Sequence, residues 1–493
     1  MTSLPPDPYP TFRPPQSPDG GGRALDEPGV PDRGSPLAAK IAWVITFVLM
    51  AVLVIKQQMP VEAPPIQPTN PGLVSPPEQG DAFALTAKLT VAMKSLLGGQ
   101  SAVQAMESLD QQAATEPDRL RLAIVAAELQ GTKEALLRLE QVKAEGDLVE
   151  DVQILRAAYQ GEGRVTDPAA QKRLADHHGW FGRLAALHGV PENNADREAL
   201  FDFVPRVLFA FVLLAVVLFV AIVGGIAAFI AMLIQLSNGR IRRAFVPPAP
   251  GGSVYLESFP FFVAGFLALS LGFALYSHVS GNQSPTLAIA QLATQWVLAL
   301  FPLYPVVFRG VPFREWRHQI GLHAGRGFWR EVGAGLYGYF AGLPLLAAAI
   351  AISFGVVIVR MIIEKMLHGV PGGPPANPIA DVLGKGSPAL IVALFILATL
   401  WAPLVEETVL RGALFRHLRS RMRLFGAALV SALFFGLMHG YNILLLTPVI
   451  TIGFIFALMR EWRGSLIGSI TAHFLHNATV LTVVIVLLNA LKD

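Results

Sequence analysis

The sequence predicts an all-α, polytopic membrane protein of about nine transmembrane helices, with an anchored soluble helical domain near its N-terminus. Three observations lead there. Apolar residues make up 53% of the 493 positions and charged residues only 15%, against about 25% charge in an ordinary soluble domain. Mean hydropathy is +0.51, and the apolar residues gather in segments close to the roughly 20 residues a helix needs to span a hydrocarbon core. Basic residues cluster in every second loop between those segments. The net charge of +3 gives a nucleic-acid role no electrostatic support, and the absence of cysteine excludes disulfides, thiol nucleophiles and Cys-based zinc sites.

The elements follow in order. Residues 1–36 hold ten prolines and the run Gly20-Gly21-Gly22; such a stretch buries too little apolar surface to offset its ordering entropy and is expected to be disordered. Residues 37–56, flanked by Lys40 and Lys56, form a transmembrane anchor. A signal peptide is the competing reading, but the preceding region is long and no small-x-small cleavage site follows. Seven more prolines make 57–80 an extended linker.

From 81 to 200 the character changes. Leu120, Ile124, Ala127 and Leu136, Leu139, Val142 recur at helical spacing, with Gly98-Gly99, Gly131, Gly146 and Gly161 at the expected helix ends. This predicts a small extracytoplasmic helical domain of the stacked-hairpin kind, without a convincing repeat. It is a binding module or a spacer, with His177-His178 expected at its surface rather than at a metal. Transmembrane helices fill 203–380, and a final helical core occupies 385–490. The spans lie near 205–235, 255–277, 286–308, 331–362, 388–410, 424–440, 443–459 and 464–489; the sixth and seventh of these are short.

Orientation comes from arginine. One basic loop holds Arg240, Arg242 and Arg243. Two spans later come Arg309, Arg314, Arg317, Arg326 and Arg330, then Arg416, Arg419, Arg421 and Arg423, and finally Arg460 and Arg463. The positive-inside rule makes these loops cytoplasmic. The N-terminus is then inside and the 81–200 domain outside.

Ionisable side chains near a bilayer centre cost roughly 2.5–3.5 kcal/mol each, yet Glu406, Glu407 and Arg411 fall within six positions of one apolar segment. Glu407 and Arg411, four apart, share a helix face in the better orientation for an ion pair. Glu406 is turned about 100° away and remains available for other work. The next turn centres between Met422 and Arg423. Glu406 and His439 each lie 16 residues from it, about 24 Å along an antiparallel hairpin. A carboxylate and an imidazole at one depth can share, and deprotonate, one water.

On the last span His473 and Asn477 are four apart, a donor and an amide on one face that can hydrogen-bond a developing oxyanion. With Glu406 and His439 they could instead complete a metal site, whose ligands would be Glu406, His439 and His473. Each piece also has a bland reading. The Glu–Arg pair can be a structural lock, Arg411 can snorkel, His439 can close a helix end, and His473 with Asn477 can glue helices together. Three helices carrying such groups at compatible depth favour a site.

The pattern Glu406-Glu407-x-x-x-Arg411, Phe435-x-x-x-His439, His473-x-x-x-Asn477 resembles the three motifs of the CaaX-protease-like (CPBP) family. That family takes in the eukaryotic CaaX prenyl endopeptidases and bacterial proteins linked to bacteriocin self-immunity and processing. The resemblance covers roughly 385–490. It implies an intramembrane endopeptidase acting on membrane-embedded or lipidated peptide substrates. By motif position it implies Glu406 as general base with His439, His473 and Asn477 as the oxyanion-stabilising pair, and Glu407 with Arg411 holding the site, with Phe435 packed beside it. A metal-free water mechanism is favoured over zinc, and no other cofactor is implied. The expected setting is multi-pass in a bacterial plasma membrane, with the 81–200 domain free to bind a protein partner. A non-catalytic scaffold or receptor built on that domain is the alternative; a transporter is a distant third.

Overall fold

A computed structural model describes residues 30–58, 82–94, 99–113, 115–281, 284–368, 387–441 and 446–490. Among these residues every regular element is helical, apart from one isolated bridge between Pro31 and Ala249. Seven helices are long and apolar enough to cross a membrane: Pro36–Lys56, Phe203–Ser237, Val254–Ser280, Thr286–Arg309, Phe328–Glu364, Pro388–Arg419 and Ile467–Leu487. The expectation of about nine spans therefore rests on two shorter helices, Leu424–Met438 and Leu446–Arg463. These pack against each other as a hairpin, and Gly436 is so close to Ile450 that a Cβ would lie 2.7 Å from its Cγ1. The expected linker at 57–80 lies almost entirely outside the described residues, as does most of the 369–386 connection.

Small residues decide how the bundle closes. Gly335, Gly338 and Gly342 fall on one face of the helix Phe328–His368. Cβ atoms there would meet the Gly468 carbonyl at 2.6 Å, Met459 at 3.0 Å and Ile455 at 2.8 Å. Close backbone approach of this kind is how membrane helices gain packing when lipid offers no hydrophobic contrast. It draws Leu446–Arg463 and the last helix, Ile467–Ala490, onto one support, and that support presents the motif residues to one another.

The anchor is more than a tether. Ala39, Ala42, Met50 and Leu53 are buried in the same cluster as Val409, Phe434, Phe435 and Phe456. Residues 30–35 were expected to be disordered with the rest of the N-terminus; instead they dock on the bundle. The Arg33 carbonyl accepts from the Ser253 and Val254 amides, Arg33 bonds the Gly310 carbonyl, and Asp32 takes a forked pair of bonds from Arg416 at 2.9–3.2 Å. Composition could not show this, because the ordering comes from partners more than 200 residues away. Asp32→Ala would leave a buried guanidinium short of its counter-charge. The expected loss is about 1.5–3 kcal/mol, read as a lower thermal midpoint in detergent with a smaller drop for Asp32→Asn.

Residues 82–200 build a separate hydrophobic cluster around Leu120, Ile124, Leu155, Leu174, Trp180 and Phe181. The expected boundary at 200 moves: Phe203 and Val207, the first turns of the helix Phe203–Ser237, belong to the same cluster. The cluster thus takes in the first turns of a membrane-length helix. A capping box between Thr115 and Asp118 starts the central helix Glu116–Gln130.

His178, expected at the surface, is buried beside Asp151, which also bonds His177 and Arg173. Burial pushes the Asp151 carboxyl up, but these three partners outweigh it and hold it at about 2. Glu128 is likewise raised by burial and brought down to about 2 by His188 and Arg197. Both folded values lie below the ordinary carboxylate range near 4. The stability they contribute is therefore complete above about pH 4 and is lost as pH falls towards about 2. Protection factors of amides in 116–186 of the full chain, taken relative to the intrinsic exchange rate at each pH, should fall through that window, and Asp151→Asn should flatten the dependence.

Candidate active site

The motif helix Pro388–Arg419 is not a regular α-helix. Widened π-type turns occupy Leu397–Trp401 and Glu407–Leu414, separated by the α-helical turn Ala402–Glu406. Such bulges often mark functional positions, and here the sequence supplies a cause. In the π register Ala402 donates to the Leu397 carbonyl. The next residue, Pro403, has no N–H to give, so the Ala398 carbonyl lacks its π-helical donor. Asn477 of the last helix supplies one, its Nδ2 donating at 2.7 Å.

One turn on, Glu407 and Arg411 are fully buried and paired at 2.8 Å. Arg411 also donates to the Gly453 carbonyl at 2.9 Å, and its guanidinium lies over Phe435 at 4.4 Å and Phe456 at 5.4 Å from the ring centroids. Gly453 is the residue that permits this, since a Cβ there would sit 3.0 Å from the guanidinium nitrogen and 2.8 Å from Phe435. The same Glu407 oxygen that binds Arg411 also faces His473 Nδ1 at 3.3 Å. A carboxylate partner places the proton on Nδ1, so neutral His473 carries its lone pair on Nε2. That Nε2 lies 4.0 Å from Glu406 Oε2.

Glu406 differs from its neighbour in its partners. Among the described residues the Oε2 atoms of both glutamates are buried without a hydrogen bond, but Glu407 is held through Oε1 by Arg411 and His473 while Glu406 only approaches His473. A buried carboxylate oxygen without a partner calls for an explanation such as a role in the chemistry or a solvent molecule to hold. His439 is fixed by Nδ1, which donates to the Phe435 carbonyl at 2.7 Å. Its Nε2 therefore carries the lone pair, the form a general base requires. Phe435 is the common wall: His439 packs against it tilted, at 4.5 Å, His473 meets its edge at 5.7 Å, and Arg411 covers its face.

All six sequence-selected residues belong to neighbouring parts of the bundle, but the direct contacts differ from the simplest expectation. Glu406 approaches His473 rather than bonding His439, and Asn477 spends one amide hydrogen on the motif helix. Sequence reasoning missed Phe456, which stacks on His473 at 5.1 Å while also facing Arg411. It also missed Gly453, as well as Tyr339, whose hydroxyl reaches His476 at 3.4 Å. None is ionisable near neutral pH, so none stood out in an apolar segment. Among the described residues no three His, Cys, Asp or Glu side chains are placed to hold a metal ion.

No curated protein and no solved structure matches the chain. Residues 388–479, which hold the motif helix, the helical hairpin and the His473 face, match the family model described as Type II CAAX prenyl endopeptidase Rce1-like, in agreement with the CPBP resemblance carried by the three motifs.

Proposed function

We propose that this chain is an intramembrane endopeptidase that hydrolyses a peptide bond of a membrane-associated or lipidated protein with a water activated by Glu406. The observation that carries the reading is the buried Glu406 Oε2, without a hydrogen bond among the described residues and 4.0 Å from His473 Nε2, in the same bundle as His439, whose Nε2 is an acceptor in the neutral form. Glu406 takes a proton from water as the oxygen attacks the scissile carbonyl, with His439 sharing the water. The tetrahedral oxyanion is met by His473, whose imidazolium form is supported by Glu407, and by the Asn477 amide hydrogen not engaged at Ala398. The proton held by Glu406 then passes to the leaving amine as the C–N bond breaks, which closes the proton balance.

The same reading places the protein in a bacterial plasma membrane. The four basic loops meet at one end of the bundle, where Arg421 bonds Gly252, Arg463 bonds Glu331, and Ala244 bonds Glu461. We take that end as cytoplasmic by the positive-inside rule. The test compares protein termini in membranes from cells making equal amounts of wild type and Glu406→Gln. Termini formed only with the wild type would support the protease and name its substrates. Identical termini from equally folded proteins would sink it, and would turn attention to a scaffold that works through the 82–200 unit.

A further inference from the structure

Far from the motif residues along the chain, a cavity of about 360 Å³ opens between the end of the anchor and the helices Val254–Ser280 and Pro285–Thr294. Lys56, Ser270, Ser277 and Gln291 give it polar groups, alongside apolar walls that include Phe273 and Leu287. Since a water takes about 30 Å³ of liquid volume, the space is on the order of ten waters, ample for a phosphate group with part of its ester.

Lys56 is the puzzle. It lies in the last turn of its helix, yet its ammonium donates to Ser270 Oγ. Ser270 stands ten residues before the end of Val254–Ser280, about 15 Å along that helix. A lysine with no ligand to serve would extend towards the interface, where its charge is hydrated. Among the described residues no carboxylate pairs with it. Ser270, Ala274 and Ser277 share one helix face; the small side chains leave the groove, and two of them furnish hydroxyls. Across the groove, the first turn of Pro285–Thr294 turns the positive end of its dipole to the same space.

From the cavity and its single cation we propose that this groove binds a phosphate-bearing anion, with Lys56 as the charge-assisted donor and Ser270 and Ser277 as flanking hydroxyls. A phosphodiester lipid headgroup and free phosphate share that chemistry. The site is independent of the proposed protease reaction, and its test reads binding alone.

The experiment uses the full chain in uncharged detergent and follows thermal unfolding by tryptophan fluorescence. The additions are phosphatidylglycerol, phosphatidylcholine, sodium phosphate or sodium chloride at matched ionic strength. Phosphatidylglycerol, or phosphate itself, is expected to raise the midpoint of wild type and Lys56→Arg. In Lys56→Gln the concentration needed should rise about tenfold, the scale of one lost charge-assisted contact. Ala274→Leu keeps the lysine but fills the groove, and should lose the shift as well. A shift with phosphatidylglycerol alone identifies a headgroup, and a shift with sodium phosphate identifies the free anion. No shift in the wild type, or equal shifts in wild type and both groove variants, overturns the proposal.

Discussion

Glu406→Gln is expected to lower the cleavage rate by about 10²- to 10⁴-fold, the range that a positioned general base supplies, while leaving the thermal midpoint near the wild-type value. The substitution keeps the shape of the side chain and removes its ability to accept a proton. Among the described residues Glu406 Oε2 makes no hydrogen bond that the amide would break, so the fold has little to lose. His439→Gln should also slow the reaction by withdrawing the Nε2 acceptor. A rate for Glu406→Gln within threefold of wild type on a substrate found by the termini comparison would remove Glu406 from the mechanism, whatever the family resemblance implies. The informative pairing is with its neighbour. Adjacent glutamates in one helix should differ in kind, one governing rate and the other stability.

How far the sequence carried this result depends on what kind of signal each residue gives. An ionisable group inside an apolar segment is conspicuous, because burying it is costly and the chain offers no reason to do so without a partner. That is why Glu406, Glu407, Arg411, His439 and His473 could be read directly, and why the helical class and most long helices were legible from hydropathy. Spacing also gave the Glu407–Arg411 pair.

Other features had no such mark. The π turns that aim Glu406 and Glu407 depend on Pro403 and on an amide from the far end of the chain, so local periodicity could not place them. The packing of Arg411 between Phe435 and Phe456 needs Gly453 on a different helix. The arginines of the basic loops reported topology by their number, but not that Arg416, Arg419 and Arg463 would find Asp32, Glu461 and Glu331. Long-range pairing of this sort also ordered residues 30–35, against the expectation from their proline content.

Glu407→Ala should be the most destabilising single change at the site, by about 3–5 kcal/mol, because it strands a guanidinium that is fully buried. The Gly453 carbonyl and the two aromatic faces soften that loss without supplying a negative charge. His473 loses the partner that fixes its proton on Nδ1, so activity should fall in whatever fraction remains folded. Arg411→Met leaves the opposite imbalance, a buried carboxylate that keeps His473 and the Ser469 hydroxyl but loses its cation. If the pair works as one unit, Glu407→Leu combined with Arg411→Met should unfold at a higher temperature than Glu407→Ala alone, since no uncompensated charge is left in the interior. The double variant should nevertheless be nearly inactive, because His473 would lose the carboxylate that holds its Nδ1 and keep only ring packing against Phe456 and Phe435. Unfolding free energies of wild type, Glu407→Leu, Arg411→Met and the double variant, measured in the same detergent, give the coupling energy. Additive losses would mean that Glu407 and Arg411 are held separately by the bundle and do not act as one unit.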